Sequence, residues 1–266
     1  MTPRPVRARA YRLVRASSGR LAAAGGAVHA GLWLGLLDRR DLHALDQARY
    51  EAAATYRQDA HNLRGLFDWE RRALAGHFPA TGSLLVLGAG AGRELLALAR
   101  LGYAVTGYEC NPVLVEHGRR LLARTGCGAR LHPVGRDEAP RDDGRHDGVI
   151  VGWSAYTLIP GRPERVALLA GLRRRVPAGA PVLVSFFTRP PGCRRTRVVT
   201  AVANAVRRVR RARPVEAGDD LTPDFVHRFT RAELVAELSA GGFALREFHP
   251  QGPGPYDSGW AVGTAR

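Results

Sequence analysis

Residues 83–112, SLLVLGAGAGRELLALARLGYAVTGYECNP, constrain the fold more than any other stretch of this 266-residue chain. Leu84–Leu87 is a short apolar run ended by glycine, the pattern of a strand buried on both faces of a parallel sheet. Gly88, Gly90 and Gly92 follow as G-A-G-A-G. Leu95, Leu96, Leu98, Ala99 and Leu101 then recur at helical spacing, and Gly102 is placed to stop that helix. Residues 103–108 read as a second strand, with Glu109 at its C-terminal end. Strand, tight turn, helix and strand in this order form a parallel βαβ unit and predict an α/β fold.

Each part has a physical use. The glycines allow a sharp turn and leave no Cβ between the backbone and a ligand. A carboxylate about 20 residues further on is placed to accept both hydroxyls of a ribose. Through VLGAGAGRE at 86–94, and Glu109 followed by Asn111-Pro112, the chain resembles class I S-adenosylmethionine-dependent methyltransferases. The resemblance implies S-adenosyl-L-methionine as cofactor, held by Gly88, Ala89, Gly90, Gly92, Glu109 and Asn111. It also implies Asp137 near the adenine amino group and Trp153 beside the methyl group. The rival is the dinucleotide fingerprint of an NAD-dependent oxidoreductase, G-x-G-x-x-G. Its last glycine is Arg93 here, and a Cβ and long side chain stand where a pyrophosphate needs space.

The rest of the chain fits a Rossmann-like, doubly wound, seven-stranded, mostly parallel sheet. Strands are expected at 129–134, 147–153, 180–187, 243–249 and 260–264, and helices at 112–124, 166–176 and 230–241. The ending, helix–GGF–strand–loop–strand, resembles the methyltransferase C-terminus, whose last strand is antiparallel. Residues 80–266 read as the cofactor-binding domain, interrupted after the fifth strand by a basic helical insertion at 188–228. Residues 21–79 read as a helical N-terminal extension acting as a lid. Within it, 21–37 is an apolar helix that packs on the domain or lies at a membrane surface, and Tyr50, Tyr56 and Trp69 are candidate lid aromatics. Residues 1–20 read as a flexible basic arm.

Charge is concentrated in two places. Six arginines and no acid lie in 1–20, and eight arginines and no acid in 194–213, against a net charge of +16 for the whole chain. The fold itself is near neutral. The basic segments suit RNA, an anionic membrane surface or an anionic small substrate. The only aromatic in the two segments is Tyr11, so no extended base-stacking platform is visible. A connection leaving a parallel strand emerges at the ligand-binding edge, so the insertion helix is expected to border the site mouth. Cys110, Cys127 and Cys193 form an odd set without C-x-x-C, which suggests neither a disulfide framework nor a metal site and places the chain in the cytoplasm, with peripheral membrane attachment as a variant.

Methyl transfer from a sulfonium needs alignment rather than a nucleophile–base pair. Residues 152–156, Gly-Trp-Ser-Ala-Tyr, replace the N/D-P-P-Y/F motif used on exocyclic or amide nitrogens. Tyr156 is the candidate acceptor contact beside Trp153, and His227 the candidate base. The expected activity is therefore methylation of a small or lipid-associated acceptor. The alternatives are an RNA methyltransferase, or a catalytically inactive nucleoside-binding module docking on nucleic acid or membrane.

Overall fold

The computed structural model describes residues 22–141, 144–254 and 256–266; the basic arm at 1–20 lies outside them. β1 (Ser83–Leu87) pairs in parallel with β2 (Ala104–Glu109) on one side and β4 (Gly148–Val151) on the other. β2 continues to β3 (Arg130–Pro133), and β4 to β5 (Pro181–Thr188), again in parallel. β9 (Gly259–Ala265) runs antiparallel between β5 and β8 (Phe243–His249). The main sheet thus has the order β3-β2-β1-β4-β5-β9-β8, the expected seven strands with an antiparallel last one. Two further strands were not anticipated. β6 (Asp219–Leu221) and β7 (Phe225–Phe229) form a hairpin, and β7 extends the end of β5 through Phe187↔Arg228 and Thr188↔Phe229.

The period-2 alternation of β1 assigns its two faces. Leu85 and Leu87 pack with Leu168, Leu169, Leu234 and Leu238 of α7 (Arg162–Arg173) and α9 (Arg231–Ala240). Leu84 and Val86 pack with Leu74 of α4 (Asp68–His77), Leu95 and Leu98 of α5 (Arg93–Arg100) and Leu122 of α6 (Pro112–Arg124). Local chemistry sets the ends. Asn111 caps α6 by accepting from the Val113 and Leu114 N–H groups, and Thr230 and Glu233 form a capping box at the start of α9.

A separate small core lies under the N-terminal helix, α1 (22–36). Ala27, Ala30 and Leu34 pack on Val199 and Ala203 of α8 (Arg194–Val209) and on Phe225 of β7. The two helices approach closely because Gly31 and Gly35 face α8. A Cβ at these positions would come within 2.8 Å of the Val202 Cβ and 2.6 Å of the Val206 Cβ. The basic insertion therefore folds against the N-terminal extension. After α1 come α2 (Arg39–Ala52), a 3-10 turn at Ala54–Arg57 and α3 (Asp59–Asn62).

Candidate active site

The chain order β1, β2, β3 runs to one side of the sheet, and β4 then falls on the other side of β1. This reversal opens a crevice at the carboxyl ends of the strands, the place where open α/β sheets bind ligands. A cavity with an empty volume of about 1010 Å³, partly open to solvent, lies there. Its floor is the turn 87–91; its walls are Glu109–Asn111, Val134–Glu138, and Val151, Trp153, Ala155, Leu158 and Ile159. α2, the 3-10 turn and α3 roof it with Asp46, Tyr50, Tyr56, His61 and Asn62.

Gly88, Gly90 and Gly92 hold φ values of +69°, +54° and +97°. Gly90 is the informative one, because nothing lies within 4 Å of where its Cβ would stand. Bare backbone therefore faces the open cavity. Glu109 points toward this turn: Oε2 accepts from the Gly90 N–H at 2.8 Å and Oε1 from the Asn111 N–H at 2.8 Å. Burial pushes the Glu109 carboxyl above its ordinary range, against the lowering effect of those N–H donors. A carboxylate has about four lone-pair sites, so acceptor capacity remains on the cavity side.

Asp137 also lines the cavity, in a left-handed conformation with φ +60°. Its Oδ2 accepts from Arg39 at 2.9 Å and lies 2.8 Å from His43 Nε2, both on α2. Burial opposes its ionisation, but these two partners outweigh burial and hold the carboxyl below its usual value. Arg136 adds an ion pair to Asp46, so the loop after β3 is tied to the roof at several points.

At the other end, Trp153 sits at the tip of β4. Its indole N–H donates to Ser258 Oγ at 2.7 Å, and His61 stacks on it with ring centres 6.3 Å apart. Tyr56 meets His61 edge-on, and Tyr50 meets Tyr56. Burial and the charge of Arg93 hold the His61 imidazole below its ordinary pKa. An NMR titration of its ring protons should therefore show a midpoint below about 6.5; a midpoint above it would mean the ring is solvated and not part of this wall.

Four of the anticipated contacts lie elsewhere. Gly92 does not line the cavity; its Cβ position lies nearest Leu122 of α6, at 3.9 Å. Tyr156 is fully buried behind β4, where its hydroxyl donates to Glu237 Oε2 at 2.7 Å beside the buried Arg165. The left-handed Ser154 just ahead, φ +57°, takes the chain into the 3-10 turn Ala155–Leu158 that carries Tyr156. His227 is buried on β7, its Nδ1 2.7 Å from Asp219 Oδ1 and its ring edge-on to Phe229. Neither lines the cavity. Trp69 is a core residue whose indole N–H donates to the Tyr256 carbonyl at 3.1 Å. The arginines of α8 line no part of the cavity either, because α8 packs on α1 instead.

His61, Asn62, Asp46, Arg136 and Glu94 were not singled out from sequence. The first three sit on a roof whose register follows from tertiary contact. Glu94 follows the glycine turn directly, so its place at the cavity was the most readable of the five.

No protein-family model and no curated protein sequence matches the chain. Solved structures do match the fold. A SAM-dependent methyltransferase of Methanosarcina mazei superposes with a TM-score of 0.59 at 18% identity, covering 76% of this chain and 98% of that one. The 1,6-didemethyltoxoflavin-N1-methyltransferase of Burkholderia thailandensis, which holds its substrate and S-adenosylhomocysteine, gives 0.57 at 17% identity, covering 86% and 90%. A TehB-like SAM-dependent methyltransferase of Corynebacterium glutamicum gives 0.55 at 16% identity, covering 82% and 99%. The chain therefore has the Rossmann-like fold of class I methyltransferases.

Proposed function

We propose that the protein is an S-adenosyl-L-methionine-dependent methyltransferase acting on a small acceptor. The observation that carries this is the bare Gly90 backbone and the buried Glu109 carboxylate facing one cavity at the strand-order reversal. The residues fit the cofactor. Glu109 would receive the ribose hydroxyls, the Gly88–Gly90 backbone and Glu94 the amino-acid end, and the Asn111 and Asp137 edges the base. When bound, the cofactor supplies an already activated methyl group for in-line displacement.

The chain's own groups do the rest. The roof residues Asp46, Tyr50, Tyr56, His61 and Asn62 narrow the way into the cavity, which supports a small acceptor. The Trp153 face tolerates positive charge nearby. His61, whose pKa burial and the charge of Arg93 lower, lies beside Trp153 and is the candidate to take a proton from an acceptor seated there. The arginines of α8, remote from the cavity, lend no support to a nucleic-acid acceptor.

Calorimetry tests this reading. S-adenosylhomocysteine should bind and NAD should not; the reverse would overturn it. Glu109→Ala should weaken S-adenosylhomocysteine binding by about 1–3 kcal/mol, the cost of leaving buried polar groups unpaired. Unchanged affinity would remove Glu109 from the site.

A further inference from the structure

Asn62 ends α3 at the roof and is 2% exposed. Its Nδ2 donates to the Tyr56 carbonyl at 3.0 Å and to the Gln58 carbonyl at 3.2 Å. Two carbonyl partners fix which end of the amide is the nitrogen. Both donors are thus turned into the segment ahead of Asn62, and Oδ1 is the end left for the cavity that Asn62 lines. No donor among the described residues reaches Oδ1. Buried polar atoms are rarely left without a partner, and this one faces open space.

The same wall carries flat rings. Trp153, His61, Tyr56 and Tyr50 follow one another ring to ring, with neighbouring centres 6.3, 5.4 and 5.0 Å apart. All four line the cavity. The Tyr50 and Tyr56 hydroxyls bond each other, so their polar ends are matched within the wall. Their faces suit another aromatic ring.

Charge narrows the ligand further. Arg93 is bonded to Glu70 and Glu94, Arg136 to Asp46, and Asp137 to Arg39 and His43. A carboxylate or phosphate on the acceptor therefore meets no unpaired cation among the lining residues. The anionic acceptor that the basic segments allowed finds no counter-charge here. A cationic acceptor is disfavoured beside His61, where burial and the charge of Arg93 already oppose a protonated imidazole.

We propose that the acceptor is a neutral, planar aromatic molecule carrying an O–H or N–H, and that Asn62 Oδ1 selects it by accepting that hydrogen. The proposal rests on the methyltransferase reading and names the substrate class of that site. Asn62 is then a specificity-determining residue, which sets how the ring lies along the wall from Trp153 to Tyr50.

The test is calorimetry on the full chain, first with S-adenosylhomocysteine and then, in its saturating presence, with naphthalene probes. 2-Naphthol should bind about three- to tenfold tighter than 2-methoxynaphthalene, which keeps the ring and lacks the donor; that is the range of one hydrogen bond. It should exceed 2-naphthoate, 2-naphthylmethylammonium and decahydro-2-naphthol, which change charge or flatness, by at least about threefold. Asn62→Ala should erase the preference for 2-naphthol over 2-methoxynaphthalene, whereas a residue that only holds the roof together would weaken both probes alike. Asn62→Asp keeps an acceptor oxygen and should keep the preference. The ranking on the unaltered chain needs no substitution, so it decides the class even where Asn62→Ala is unstable. Equal binding of 2-methoxynaphthalene or of either charged probe, or no binding of 2-naphthol, would overturn the proposal and leave the cofactor assignment standing. A preference that survives Asn62→Ala but is lost in His61→Phe would also overturn it, as would weaker S-adenosylhomocysteine binding by Asn62→Ala, which puts Asn62 at the cofactor. No binding of S-adenosylhomocysteine would bring down the cofactor assignment and this proposal together.

Discussion

Arg93→Met is expected to lower stability by about 3–5 kcal/mol, the cost of stripping a partner from a buried ion pair. Arg93 is 3% exposed. Its guanidinium donates to both Glu70 oxygens at 2.6 and 2.8 Å, to Glu94 at 2.6 Å and to the Gly65 carbonyl at 2.8 Å. It also lies 3.9 Å above the centre of the Phe67 ring. One side chain thus ties the roof segment and α4 to the first turn of α5, directly behind the glycine turn. Methionine keeps most of the volume but strands two buried carboxylates. At about 2 °C per kcal/mol for a chain of this size, the melting temperature should fall roughly 6–10 °C. The pH dependence has a definite sign. Burial already raises the Glu70 pKa with Arg93 present; without Arg93, the Glu70 carboxyl rises further. A carboxyl whose folded pKa is raised stabilises below its unfolded value, near 4.3, and loses that contribution as pH rises through the folded value. The deficit of the variant should therefore be larger at pH 7.5 than at pH 5, measured by denaturant unfolding. Pairing it with Glu70→Met should recover part of the loss. A variant as stable as the parent would mean that the ion pair does not hold α4 to α5.

That same residue shows where the sequence was legible and where it was not. The absent sixth-position glycine was visible, and so was the steric conflict with a dinucleotide. The use of the arginine was not, because its main partner, Glu70, comes from a helix 23 residues upstream. Local signals carried well: the β1–turn–α5–β2 unit and the strand-end position of Glu109 rest on neighbours close in sequence. The β6/β7 hairpin escaped because His227 and Arg228 interrupt the apolar run of β7; Asp219 across the hairpin makes His227 tolerable inside. Tyr156 and His227 were misplaced for a related reason. A sequence shows that a residue follows a strand end, but not which way its side chain turns, and both turn toward acids on other elements.

Gly90→Val should separate the cradle from the fold. Valine at a φ of +54° is strained, about 1–2 kcal/mol for a left-handed L-residue, which should cost only a few degrees of melting temperature. The protein has room for the side chain, since nothing lies within 4 Å of the Cβ position. A ligand seated on that backbone does not. S-adenosylhomocysteine affinity should drop about 100-fold, the upper end of the 1–3 kcal/mol cost of overpacking, because the obstructing group is on the rigid turn and cannot swing aside. Gly152→Ala is the contrast. Its Cβ would fall 2.4 Å from the Gly88 carbonyl oxygen, a backbone clash between the ends of β4 and β1 that attacks the fold before any ligand arrives. The two variants should thus differ in kind: Gly90→Val stays folded and loses the nucleoside, whereas Gly152→Ala loses stability first. If Gly90→Val binds S-adenosylhomocysteine as tightly as the parent, the open floor above residue 90 is not where the cofactor lies.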